Sequence, residues 1–167
     1  MVIHKKMFDE TERPTVMVSG GFDPVHVGHI RMIREAAQHG DVIVVANSDD
    51  WLFRKKGFVF MEFAKRSEIL NSIKGVLLVD SVDDTDGTVC EAIRRHKPDY
   101  FANGGDRGRS NTPEQQVCEE LGVKLLWGVG GDYKADASST LVERFRKSSQ
   151  KTEDIAPTRV KTPQSDR

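Results

Sequence analysis

From Thr15 to about Lys147 the chain alternates short apolar runs with stretches whose apolar residues recur every three or four positions. The first kind of run predicts strands at residues 15–19, 41–47, 76–81, 99–103 and 124–129. The second predicts helices at 28–39, 63–73, 88–96, 113–121 and from 138 to about 147. Gly40 and Gly122 stand just past two of these helices, Lys97 and Pro98 end a third, and Pro113 opens a fourth at a first-turn position. Five strands alternating with five helices, the strands apolar along their whole length, describe a parallel sheet covered on both faces. The expectation is a single Rossmann-like α/β domain. With strand order 3-2-1-4-5, the loops after strands one, four and five would line one crevice.

The pattern also bounds the domain. Residues 1–14 are polar and charged. After Lys147 the chain turns to Ser, Thr, Lys, Asp, Pro and Gln, which bury too little apolar surface to offset the entropy of ordering. This divides the chain into a polar N-terminal segment (1–14), a folded domain (15–147) and a flexible C-terminal tail (148–167).

Composition narrows the function mainly by exclusion. With 25 Lys and Arg against 26 Asp and Glu, no net field points to nucleic acid or an anionic membrane as partner, so any phosphate chemistry must rest on local charge. Cys90 and Cys118 are too far apart in sequence for a redox pair or a zinc knuckle and read as reduced, half-buried thiols. No signal-type leader and no apolar run of membrane-spanning length occurs, which predicts a cytoplasmic protein.

The informative stretch is Gly20-Gly21-Phe22-Asp23-Pro24-Val25-His26-Val27-Gly28-His29, between the first strand and the first helix. Two glycines let the backbone approach a phosphate, and the helix that follows offers free amides and the positive end of its dipole. His26 and His29, three residues apart, can face one ligand. Zinc would need three or four ligands, and only Asp23 stands near enough in sequence to join them. Burial of both histidines for packing is a poor use of a glycine-rich loop. Paired donors to a phosphate is the better reading, with no metal held by the protein itself.

Gly21-Phe22-Asp23 followed by His26-Val27-Gly28-His29 resembles the GxFDxxHxGH signature of the HxGH nucleotidyltransferase superfamily, which includes glycerol-3-phosphate cytidylyltransferases and heptose-phosphate adenylyltransferases. Three further segments follow in the family's order. Lys55-Lys56-Gly57 with Arg66 is similar to its mobile Lys-Gly loop and helical arginine. Asn103-Gly104-Gly105-Asp106-Arg107 resembles the Gly-Gly-Asp element that meets the nucleotide. Ala137-Ser138-Ser139-Thr140 resembles the Ser-Thr motif that grips the triphosphate.

The resemblance implies transfer of AMP or CMP from a nucleoside triphosphate to a phosphorylated small molecule, with release of pyrophosphate. His26, His29, Lys56 and Arg66 are then the expected catalytic residues. Gly21, Phe22, Asp23, Gly28, Gly104, Gly105, Asp106, Arg107, Ser138, Ser139 and Thr140 are expected to bind the nucleotide, with Mg²⁺ carried by the triphosphate. Arg66 and Arg107 could instead be surface salt-bridge partners. A homo-oligomer is compatible with this reading.

Gly130 to Asp136 lacks the Arg-Thr-Glu-Gly run of glycerol-3-phosphate cytidylyltransferases, which weighs against glycerol phosphate. A sugar or polyol phosphate ranks first as acceptor, ahead of phosphopantetheine, nicotinamide mononucleotide and flavin mononucleotide. ATP is slightly preferred to CTP. Two rivals remain: a class I aminoacyl-tRNA synthetase core, disfavoured by the short chain, and a non-catalytic nucleotide sensor, which has little reason to keep both histidines and the lysine.

Overall fold

A computed structural model describes residues 13–104, 112–131 and 138–153. In chain order the elements are β1 (Thr15–Gly20), α1 (Val27–His39), β2 (Asp41–Ala46), α2 (Asp49–Lys56), α3 (Phe63–Asn71), β3 (Val76–Asp80), α4 (Cys90–His96), β4 (Tyr100–Gly104), α5 (Pro113–Leu121), β5 (Lys124–Val129) and α6 (Ser138–Glu153). The strands form one parallel sheet in the order β3-β2-β1-β4-β5, as the alternation of elements predicts.

Successive strand residues point to opposite faces, so a continuous apolar run feeds two cores at once. Val16 and Val18 of β1, Val42, Val44 and Ala46 of β2 and Ala102 of β4 pack with Ile33 and Ala36 of α1 and Leu70 of α3. Met17, Ile43, Val45 and Phe101 face the other way, onto Ala92 and Ile93 of α4 and Val117 and Cys118 of α5. Chain reversals follow the punctuation in the sequence. A Cβ on Gly40 would lie 2.0 Å from the Pro14 carbonyl oxygen, so only glycine fits where α1 turns back into β2. Thr112 and Gln115 cap α5 reciprocally, with Pro113 at its first position.

Two expectations need correction. The reading of five helices omits α2, and it places Lys55 and Lys56 in a loop when they form the last turn of a helix. That helix carries its own grammar. The Ser48 hydroxyl accepts the Trp51 amide, Asp49 and Asp50 begin the helix, Arg54 to Lys56 end it, and Gly57 closes it in a left-handed conformation. The final helix also runs to Glu153, so the first six residues of the segment read as a tail are helical. Residues 154–167 lie outside the described residues. Among the described residues no helix is long and apolar enough to cross a membrane.

Candidate active site

The order β3-β2-β1-β4-β5 makes the β1/β4 boundary the point where the strand order reverses, and the loops beyond the strand ends there form the natural ligand crevice. The histidine-bearing loop leaves β1 at this point. Gly21 lies against α2: an added Cβ would come within 2.9 Å of the Leu52 side chain and 3.7 Å of the Trp51 ring. Phe22 follows in a left-handed conformation (φ 51°), uncommon for a residue with a side chain, while its ring is buried. Such strain persists only where the surroundings impose it.

His26 is the N-cap of α1. Its Nδ1 accepts the Gly28 amide at 3.1 Å, and Nδ1 of His29 accepts the His26 amide at 3.3 Å. A neutral imidazole that accepts at Nδ1 carries its proton on Nε2, so the backbone selects the same tautomer for both rings and makes each Nε2 a donor. The rings stack with centroids 3.7 Å apart, and the Phe22 ring meets His29 edge-on at 4.8 Å. Burial, and secondarily the neighbouring His26, lowers the His29 pKa from 6.5 to about 3. His29 is therefore a neutral hydrogen-bond donor at the positive end of a helix, which suits a phosphate oxygen.

Asp23, Lys56 and Arg66 turn elsewhere. The buried Asp23 carboxylate accepts the amides of Phe60 (2.8 Å) and Met61 (2.5 Å) and pairs with Lys56 Nζ at 2.6 Å, and Lys56 also donates to the Asp23 carbonyl oxygen at 2.7 Å. These contacts tie the α2–α3 connection across the histidine loop, and they occupy the one carboxylate that a zinc site would have used.

Arg66 is fully buried, with no exposed surface. Its guanidinium donates to the carbonyl oxygens of Met61 (2.9 Å), Gly21 (2.7 Å) and Asn47 (2.9 Å) and to the Asp49 carboxylate (2.7 Å). It is buried and not a surface salt-bridge partner, and the N–H groups named here end on protein oxygens. It holds the histidine loop from behind. Because the carbonyl and the next N–H of a trans peptide point in opposite directions, a guanidinium on the Gly21 carbonyl leaves the Phe22 N–H on the far side.

The start of α6 closes the arrangement. The Ser138 hydroxyl donates to the Pro24 carbonyl oxygen at 3.1 Å, which brings the α6 N-terminus against the loop that carries the histidines, with Ser139 and Thr140 exposed beside it. Farther along α6, Arg146 lies 5.3 Å from the Phe58 ring, whose centroid is 4.7 Å from Lys56 Nζ. The Gly130 amide donates to Glu35 of α1 at 2.7 Å, fixing the exit of β5. Gly28 sits in the first turn of α1 and Gly104 ends β4. Gly105, Asp106 and Arg107 lie outside the described residues.

Sequence reasoning missed the far side of the loop. Asn47 and Ser48 at the end of β2, Asp49 in the first turn of α2 and Asp84 before α4 form a polar cluster behind Gly21. The capping pattern Ser48-Asp49-Asp50 was a readable signal. Asp84, in the acidic run Asp83-Asp84-Thr85-Asp86, had none.

Comparison with known proteins agrees with this geometry. The cytidylyltransferase-like family model matches residues 17–162. The bifunctional protein HldE of Desulfatibacillum aliphaticivorans is 31% identical over 116 residues, 66% of this chain and 23% of the relative. The chain thus spans about a quarter of the length of that protein. The FAD synthase of Thermococcus kodakarensis is 33% identical over 146 residues, 80% of this chain and 91% of the relative. A crystal structure described as a lipopolysaccharide core biosynthesis protein from Thermoplasma volcanium superposes with a TM-score of 0.57 at 25% identity, covering 69% of this chain and 93% of that one. The sheet order, the histidine loop where the strand order reverses and the family match agree: this chain belongs to the cytidylyltransferase-like family.

Proposed function

We propose that the chain transfers a nucleoside monophosphate, AMP in preference to CMP, from the triphosphate to the phosphate of a small molecule. The observation that carries this reading is the stacked histidine pair at the α1 N-terminus, with His29 held neutral, and the start of α6 docked on the same loop. A phosphate monoester has a second pKa of about 6, so near neutrality the acceptor is already an anionic nucleophile and needs no general base. The protein's task is to hold two anionic groups in line and to stabilise charge growing on the α-phosphate and the departing pyrophosphate.

His26 and His29 act on that charge as preorganised Nε2 donors. Ser138, Ser139, Thr140 and the first amides of α6 hold the terminal phosphates. Asp106 and Arg107 meet ribose, base or acceptor. This donor set complements anions, and Mg²⁺ brought in with the triphosphate would supply further charge neutralisation. Lys56 joins the phosphates only on exchanging Asp23 for them, and Arg66 contributes by holding the loop. The free thiols of Cys90 and Cys118 suit a cytoplasmic setting.

Two acceptor classes have support. The motif grouping and the HldE relatives favour a sugar phosphate. The FAD synthase relative, matched over 91% of its length, favours flavin mononucleotide. Pyrophosphate release from four nucleoside triphosphates, each offered sugar phosphates, polyol phosphates, flavin mononucleotide, nicotinamide mononucleotide and phosphopantetheine, tests both. Turnover with ATP and one phosphate class is expected. Absence of release with every pair overturns the reading.

A further inference from the structure

Asp84 is a buried carboxylate that nucleotidyl transfer as described does not use, being 3% exposed. Its Oδ2 accepts Asn47 Nδ2 at 3.0 Å and the Ser48 amide at 2.8 Å, and its Oδ1 accepts the Ser48 hydroxyl at 2.6 Å. Its own carbonyl oxygen accepts Arg54 Nη2 at 3.0 Å. No described cation lies on the carboxylate itself. A buried carboxylate satisfied only by neutral donors costs desolvation without a full opposite charge to offset it, so apolar packing would serve plain stability at least as well. Directional bonds accomplish something that packing does not: they fix where the atoms of Asn47 and Ser48 sit.

The fixed atoms lead to the active site. The Asn47 amide donates to the Gly20 carbonyl oxygen at 2.9 Å, and the Asn47 carbonyl oxygen accepts Arg66 Nη1 at 2.9 Å. The same Nη1 holds the Gly21 carbonyl oxygen at 2.7 Å, one peptide before the strained Phe22. Asp49, two residues after Asn47, holds Arg66 Nη2 with one oxygen and accepts the Phe63 amide with the other at 3.2 Å. Every residue of Asn47-Ser48-Asp49 is thus bonded on at least two sides, and the histidine loop hangs from the far end of the network.

On the transferase reading given above, we propose that Asp84 is a positioning residue. Its carboxylate is bonded to Asn47 and Ser48 and not to the histidine loop, and it presets that loop through Asn47, Arg66 and the Gly21 carbonyl. A rigid supporting shell of this kind matters to the reaction because a shift of about 1 Å at a reacting centre can cost on the order of a hundredfold in rate.

The test uses the full chain with Asp84→Asn, which keeps the side-chain shape, Ser48→Ala, which removes one of the three bonds, and Asp49→Asn. Asp84→Asn is expected to lower kcat about ten- to a hundredfold while the KM for the nucleotide stays within about twofold. Combined with Asp49→Asn, its effect on kcat should be less than the product of the two, because both act through Arg66. The NMR ring signals of His26 and His29, which need no turnover, should shift in Asp84→Asn. A lowered melting midpoint with normal kcat and unmoved ring signals overturns the proposal. If the unsubstituted chain releases no pyrophosphate, the transferase reading fails on its own, and the ring signals then decide whether Asp84 positions the loop.

Discussion

Two polar clusters lie on opposite sides of the histidine loop, and they use their hydrogen bonds differently. On one side, His26 and His29 take backbone amides at Nδ1 and present Nε2 as donors, and they are only partly buried at a helix N-terminus. On the other side, Arg66 makes four bonds to the protein, Asp84 accepts three at its carboxylate, and both are buried. The first cluster resembles a site built to receive something, and the second a scaffold whose partners are all within the chain. A residue expected to be catalytic, Arg66, belongs to the second. Chemical type therefore does not distinguish a ligand-binding arginine from a loop-holding one, whereas the destinations of its N–H groups do.

Substitutions can break this comparison, and the largest effect is expected at Arg66. Arg66→Ala strips partners from three carbonyl oxygens and from Asp49, so denaturant unfolding should show a loss of about 3 to 5 kcal/mol, with activity falling along with the fold. His29→Ala should do the reverse. Loss of one preorganised donor typically costs about 10² to 10³ in kcat, near 3 to 4 kcal/mol of barrier, with the melting midpoint little changed. Near-normal pyrophosphate release by His29→Ala would remove it from the chemistry. With His26→Ala added, the combined loss should be less than the sum if both rings serve one phosphate.

A smaller effect separates the clusters by pH. The His29 pKa falls from 6.5 unfolded to about 3 folded, so between these values the unfolded chain binds more protons than the folded one. The stability tied to His29 is whole above pH 6.5, declines as pH falls toward 3 at no more than about 1.4 kcal/mol per pH unit, and levels off below. The melting midpoint of the unsubstituted chain should therefore fall relative to that of His29→Ala as pH drops from 7 to 4, and parallel curves would contradict a buried neutral ring. The smallest effect is expected from removing residues 154–167, whose composition is that of a solvated segment. Turnover and melting should be nearly unchanged, and loss of either would assign that segment a task.

The fold was largely legible because the signals that carry it are periodic and local. Doubly buried strands read as continuous apolar runs, and Gly40, Gly122 and Pro113 mark ends whose backbone geometry admits few other residues. Helix α2 escaped because eight residues give little periodicity, and because Lys55-Lys56-Gly57 read as a motif hid the helical stop it also is. The candidate site was legible in part. The histidine loop and Ser138 come together as expected, since a strand, a turn and a helix N-terminus set the position of each. Lys56 and Arg66 appeared in the sequence only as cations. Whether a cation meets a ligand, a carboxylate or a carbonyl depends on chain segments many residues away.

By itself, the sequence determined the alternation of strands and helices and a glycine-rich, two-histidine loop after the first strand. Each follows from local sterics, from the periodicity of apolar positions, or from the fixed topology of βα units. Only the tertiary structure decided that Asp23 binds Lys56, that Arg66 lies buried behind the loop, that Asp84 closes on Asn47 and Ser48, and that His29 is held neutral. The partners in those contacts are 33 to 45 residues apart where they join the loop to Lys56 and Arg66, and the desolvation that neutralises His29 exists only once the chain has packed around it.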